Sequence, residues 1–168
     1  MNKVRILGVD TSLRSSGVAV IEVSGQKMQA LAYGRIHNKA ALSHSCCLAA
    51  IHKEIDKLIA EFEPDDVAIE GAFFAKNAKT AMILGQARGV VLAACALRNL
   101  PVYEYSPRSI KQAVVGAGAA SKEQVAKMVI RLLGLSELPQ EDAADALAAA
   151  ICHIHQRGLP EALRSKPV

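Results

Sequence analysis

The stretch Lys3-Val-Arg-Ile-Leu-Gly-Val-Asp-Thr-Ser12 sets the reading of the whole chain. Its residues alternate by side, with Val4, Ile6 and Gly8 on one face and Arg5, Leu7 and Val9 on the other, so the run reads as a β-strand. Beyond Arg5 both faces are apolar, which suits a central strand covered on each side. The strand ends on Asp10, and a Thr-Ser turn leads to a second apolar run at 17–23. A carboxylate at the tip of a buried strand is fixed by the strand and exposed by the turn, as chemistry requires. The alternative is an aspartate that simply opens a turn by bonding its own backbone. The other acids of the chain decide between the two.

Working outward, 17–23 and 28–36 read as the second and third strands, with Gly25-Gln26 as the hairpin turn between them, giving an antiparallel meander. From 41 to 62 the spacing becomes helical, with Leu48, Ile51, Ile55, Leu58, Ile59 and Phe62 on one stripe and Pro64 as the stop. A short apolar strand at 66–70 ends on a second acid, Glu70. A loop at 71–77 carries Phe73, Phe74 and Lys76, and a long helix follows at 78–97. In that helix Ala81, Gly85, Gly89 and Ala93 recur every fourth residue, and most of the remaining circumference is apolar. Such a helix needs cover on more than one side, either from the sheet and neighbouring helices or from a second subunit, and a homodimer is the favoured expectation.

A fifth strand is expected at 101–105, then a short helix opened by Ser106-Pro107 and a flexible connector at 116–120. Ser121 with Gln124 signals a capping box for a helix ending at Gly134, and the last helix runs over 140–155. The order describes one α/β domain over 1–157 with a five-stranded mixed sheet flanked by helices, and a loose tail at 158–168.

Composition bounds the function. At 168 residues the chain fits one domain with a real core. No uninterrupted apolar run reaches membrane-spanning length, and Met1-Asn2-Lys3 leads into a charged strand rather than a signal peptide, so a soluble cytoplasmic protein with no membrane partner is expected. Cys46, Cys47, Cys95 and Cys152 lack metal spacing and read as reduced, mostly buried side chains. The formal net charge is +4. Setting four of the 16 acids aside in one site leaves a surplus of eight positive charges elsewhere, which suits an enzyme that acts on a polyanion.

Asp142 and Asp145, three apart in a helix, share a face left open by small alanines. Glu141 is explained by the helix dipole alone, whereas Asp145 lies a turn further in. Asp10, Glu70, Asp142 and Asp145 brought together would repel one another unless a cation sat among them. Oxygen-only ligands favour Mg²⁺ or Mn²⁺ over zinc, and a pair of such ions can hydrolyse a phosphodiester.

Several stretches resemble one family. They are Ala68-Ile-Glu70, residues 73–77, Leu84-Gly-Gln-Ala-Arg-Gly89, residues 102–105 with Lys111-Gln112, Val114-Val-Gly116 and Asp142-Ala-Ala-Asp-Ala-Leu-Ala148. The chain resembles the RuvC family of Holliday-junction resolvases, of RNase H-like fold, from Ile6 to about His155. The resemblance implies that Asp10, Glu70, Asp142 and Asp145 bind two divalent metal ions and carry hydrolysis. It further implies a homodimer that nicks two strands of a four-way DNA junction in recombination and repair, leaving 5′-phosphates. Ala81, Gly85, Gly89 and Ala93 would form part of the dimer contact, and a branch-migration complex of the RuvA-RuvB type would be a partner. One departure stands out: where the family usually has Asp-Pro-Gly, this chain has Asp10-Thr11-Ser12. A glycine tolerant of unusual dihedrals is lost there.

The same resemblance places Lys111 and Lys122 near the active site, with Lys111 steadying the scissile phosphate. Phe73 is the candidate for stacking on an unpaired base, Phe74 for packing beneath the loop. Arg14, Lys76, Arg88 and Arg108 are candidates for backbone-phosphate contacts, with ordinary solvated charges as the alternative. His153 and His155, two apart on a helix, point to different sides and do not suit a metal. Two competing functions are a non-catalytic junction-binding protein on the same scaffold and an actin-like ATPase. The second needs two such subdomains, and this length holds one.

Overall fold

Because β1 (Val4–Asp10) is apolar on both faces, it lies in the middle of the sheet, whose order in the computed structural model is β3-β2-β1-β4-β5. The structure describes residues 3–71 and 77–168; Phe73, Phe74 and Lys76 lie outside the described residues. β2 (Ser15–Ser24) and β3 (Lys27–His37) extend the sheet antiparallel on one side as the expected meander. On the other side β4 (Asp66–Glu70) and β5 (Val102–Tyr105) run parallel to β1.

The alternation read in the first strand separates two cores. Leu7 and Val9, with Val18, Val20, Val67 and Ile69, face α1 (His44–Phe62) and α2 (Ala78–Leu97). Ile6, with Ala19, Ile21, Ala68 and Tyr105, faces α3 (Pro107–Val115), α4 (Lys122–Leu133) and α5 (Glu141–Arg157). Of these helices, α5 lies deepest: ten of its residues, from Ala143 to His153, are buried.

Side-chain caps set where the helices begin. Ser43 accepts from the Cys46 amide, so α1 starts at His44, three residues later than its apolar stripe suggests. It ends on Glu63 in the left-handed region (φ 45°), just before Pro64. Ser106 caps α3 with Pro107 behind it, and Ser121 and Gln124 form the expected capping box of α4. The connector at 116–120 is tied down at one end. Gln112 donates to the Gly116 carbonyl at 2.7 Å and accepts from the Gly118 amide at 3.0 Å. After α5 come a 3-10 turn at Glu161–Leu163 and a hydrogen bond from the Val168 amide to the Val102 carbonyl on the sheet edge.

Two glycines let α5 press onto the sheet. A Cβ on Gly8 would stand 2.0 Å from the Ala146 carbonyl oxygen, and one on Gly17 would stand 1.8 Å from that of Asp142. Backbone cannot retreat from such a contact without moving the helix. Gly8→Ala and Gly17→Ala are therefore expected to cost at least ~2 kcal/mol each in urea unfolding. Gly34→Ala, at a position with nothing within 4 Å, is expected to cost less than ~1 kcal/mol.

Candidate active site

Strand parity aims two acids at the same helix. Residues 6, 8 and 10 of β1 and 66, 68 and 70 of β4 point to the α5 side, and the parallel register pairs Val9 with Ile69. One step further, Asp10 and Glu70 end neighbouring strands. Asp10 also pairs with Gly17 of β2, the residue on which the backbone of Asp142 rests. Asp145 follows one turn along α5. Acids 135 positions apart in sequence thus meet at the carboxyl ends of β1 and β4.

Burial acts on these acids first and their mutual repulsion second. Asp10 is pushed up to about 7, chiefly by burial and then by the negative charges of Glu70, Asp145 and Asp142, with Lys122 opposing. Burial and Asp145 raise Glu70, against Lys122 and Lys111. Burial also raises Asp145, opposed first by Lys122.

Cationic side chains stand on the rim. Lys122 Nζ lies 3.1 Å from Asp145 Oδ2 and 2.5 Å from Glu141 Oε1, and these partners, Glu141 foremost, hold its pKa above the usual lysine value. Lys111 lines a cavity of about 120 Å³ together with Glu70, Lys122, Asp145 and Ile110. On the opposite flank the Ser15 hydroxyl donates to Asp142 Oδ2.

Among the described residues, no three His, Cys, Asp or Glu side chains are arranged to enclose a metal ion. Asp142 and Asp145 are instead turned to Ser15 and Lys122. The donor chemistry nonetheless fits a hard divalent cation. All four groups are carboxylates, and the repulsion that raises Asp10 is what a cation among them would relieve.

The Thr-Ser turn after β1 needs no glycine. Among the described residues only Glu63 and Asn99 are non-glycines with positive φ, so Ser12 adopts ordinary backbone. Ser16, 1% exposed, holds the turn by accepting from the Ser12 amide at 3.0 Å and donating to the Ser12 carbonyl. Asn38 adds a bond from its side-chain amide to the Leu13 carbonyl at 2.8 Å.

The other basic candidates divide. Arg14 is engaged within the chain, donating to the carbonyls of Lys39 (2.8 Å) and Leu42 (3.1 Å) and to Cys47 Sγ (3.2 Å), so its guanidinium clamps the turn to the start of α1. Arg88 forms an ion pair with Glu104 that ties α2 to β5. Both were candidates for phosphate contact; the structure gives each an internal partner first. Arg108 is exposed, its side chain lying against Gly118. Ala81, Gly85, Gly89 and Ala93 form an exposed stripe on α2, flanked by Met82 at 65% exposure. By length and composition alone α2 could cross a membrane, although Lys79, Gln86 and Arg88 interrupt its apolar run, as the sequence led us to expect. Its inner stripe of Ala87, Val91, Ala94 and Cys95 is buried in the domain core, however.

Two features were not nominated from sequence. Ser15 is one; an isolated serine opening a strand carries no signal of a partner far along the chain. The other is a buried polar cluster. His153 bonds the Tyr105 hydroxyl at 2.7 Å and Asp66 Oδ2 at 3.0 Å, and Arg157 pairs with the same carboxylate. His155 instead faces the Ala113 carbonyl, so the two histidines do diverge. The polar character of Asp66 could have flagged the cluster, since it opens an otherwise apolar strand on the α5 face.

Comparison with known proteins agrees with this geometry. The family described as "Crossover junction endodeoxyribonuclease RuvC" matches residues 6–153. A protein of that name from Caldicellulosiruptor saccharolyticus is 45% identical over 152 residues, covering 89% of this chain and 92% of its own. Another from Idiomarina loihiensis is 49% identical over 154 residues, covering 89% and 86%. The solved structure described as T. thermophilus RuvC in complex with Holliday junction substrate superposes with a TM-score of 0.91 at 32% identity, covering 98% of this chain and 99% of that one. The sheet order, the acid-bearing α5 and the matched residues have one explanation: the chain belongs to the RuvC family of crossover junction endodeoxyribonucleases.

Proposed function

We propose that Asp10, Glu70, Asp142 and Asp145 hold the divalent metal with which this endonuclease cuts four-way DNA junctions in recombination and repair. The observation that carries the assignment is the placement of Asp10 and Glu70 at the ends of neighbouring strands against the start of α5, which bears Asp142 and Asp145. The family's nucleases are metal-dependent; Mg²⁺, or Mn²⁺ in its place, in a pair of ions suits four hard oxygen donors. When bound, such ions supply a water-derived nucleophile and a counter-charge for the leaving oxygen of the phosphodiester. The products are a 5′-phosphate and a 3′-hydroxyl.

The chain's own groups do the rest. The strand ends hold Asp10 and Glu70 rigidly, and the buried helix holds Asp142 and Asp145, so little reorganisation is needed when substrate arrives. Lys111, beside Glu70, and Lys122, beside Asp145, place positive charge where a scissile phosphate would lie. Arg108, Lys76 and Phe73 extend the grip, the last by stacking on an unpaired base. Arg14 and Arg88 support the site through their internal partners.

The stripe of Ala81, Gly85, Gly89 and Ala93 pairs with the same stripe of a second copy. A two-fold dimer covers the apolar outer face of α2 and presents two active sites to two strands of like polarity. The enzyme then works in the cytoplasm on junctions delivered by a RuvA-RuvB type complex.

Three outcomes follow. Asp10→Asn is expected to lower junction cutting in Mg²⁺ by at least ~100-fold, the worth of several kcal/mol of lost charge stabilisation, with junction binding in EDTA retained. Gel assays of cutting and binding on the same synthetic junction check this. In EDTA, Asp10→Asn should also melt higher than the wild type. Because burial, and then the neighbouring acids, push the Asp10 carboxyl up to about 7 from an ordinary 3.8, ionising it destabilises the fold progressively as pH rises from about 4 to 7. The gain is thus absent near pH 4 and reaches about 3 °C or more by pH 8, and added Mg²⁺ narrows it. Gly85→Glu is expected to convert the dimer to monomer in sedimentation velocity.

A further inference from the structure

The start of β2 does two things to the first turn of α5. Ser15 and Gly17 are two apart on a strand and so face the same side, toward α5. At Gly17 the missing Cβ admits the Asp142 backbone, and at Ser15 the hydroxyl donates to Asp142 Oδ2. We propose that Ser15 is a positioning residue for Asp142: it fixes the carboxylate rotamer and leaves Oδ1 for a divalent cation. The proposal rests on the reading of Asp142 as a metal ligand and goes beyond it, because it gives a role to a strand residue that acts through the Asp142 carboxylate.

Geometry favours this role over mere packing. An aspartate in the first turn of a helix has several open rotamers and a dipole that rewards any of them. Among the described residues, Asp142 Oδ1 has no hydrogen bond, whereas Oδ2 is occupied by Ser15. The neighbouring Ser16 points to the opposite face and is used up within the turn, bonded to Ser12 at both amide and carbonyl. The turn and the carboxylate are therefore held by separate hydroxyls, and Ser15 can be changed without undoing the turn.

The test uses Mn²⁺ alone as the probe, with free Mn²⁺ followed by electron paramagnetic resonance on the full-length protein without DNA. Outer partners of metal ligands are commonly worth ~10–100-fold in affinity. Ser15→Ala is expected to weaken Mn²⁺ binding about 10-fold and to raise the Mg²⁺ needed for half-maximal cutting in parallel, leaving junction binding in EDTA unchanged. Ser15→Thr, which keeps the hydroxyl, is expected to retain wild-type affinity. In an Asp142→Asn background, Ser15→Ala is expected to have no further effect. Unchanged Mn²⁺ affinity in Ser15→Ala would overturn the proposal, as would an undiminished effect in the Asp142→Asn background. If Asp142→Asn itself binds Mn²⁺ and cuts as the wild type does, it is the assignment of the acids that falls. If Asp142→Asn loses both and Ser15→Ala neither, only the role of Ser15 falls.

Discussion

The contact on which the structure depends is that of α5 with the bare backbone of β1 and β2. Gly8 and Gly17 remove the two Cβ atoms that would hold the helix off the sheet. With the helix this close, its first two turns lie over the tips of the central strands. The four acids are thereby brought close enough for the charges of Glu70, Asp145 and Asp142 to act on Asp10. Nothing about Asp142 or Asp145 would matter if α5 stood at an ordinary distance; the alanines that line its buried face serve the same close approach.

That closeness has an electrostatic consequence. The core that fixes the acids also strips them of water, and burial is the leading cause of the raised values at Asp10, Glu70 and Asp145. Negative charge held this way works against the fold, as it commonly does at functional sites. Lys122 opposes it by pairing with Asp145 and Glu141, and the Ser15 hydroxyl donates to Asp142. At the other end of α5 the chain handles a buried acid differently. Hydrogen bonds and charge from His153 and Arg157 outweigh burial and hold Asp66 below the usual carboxylate range. One helix thus carries an unrelieved acidic site at its start and a neutralised one near its end.

Much of this was legible in the sequence because it follows from local periodicity. Alternation in 4–10 and 66–70 already put Asp10 and Glu70 at strand tips, and the three-residue spacing put Asp142 and Asp145 on one face. The caps at Ser106 and Ser121 were also readable, whereas Ser43, which trims α1 to start at His44, and Asn77, which caps α2, were not. What escaped reading was pairing across long separations. Arg14 and Arg88 looked like free cations, yet Lys39, Leu42, Cys47 and Glu104 claim them. The replacement of Pro-Gly by Thr11-Ser12 looked like a loss, but Ser16 rebuilds the turn without any left-handed residue. Ser15 and Asp142 are 127 positions apart, and no spacing rule links them.

The central claim is that the four acids form one divalent-cation site. Anomalous diffraction at the manganese edge, from crystals of the protein grown with a four-way junction and soaked in Mn²⁺, tests it most directly. Anomalous density is expected within coordination distance of Asp10 and at least two of Glu70, Asp142 and Asp145. Density confined to other acids, such as Glu141 or Asp66, with nothing at the tips of β1 and β4, would contradict the claim.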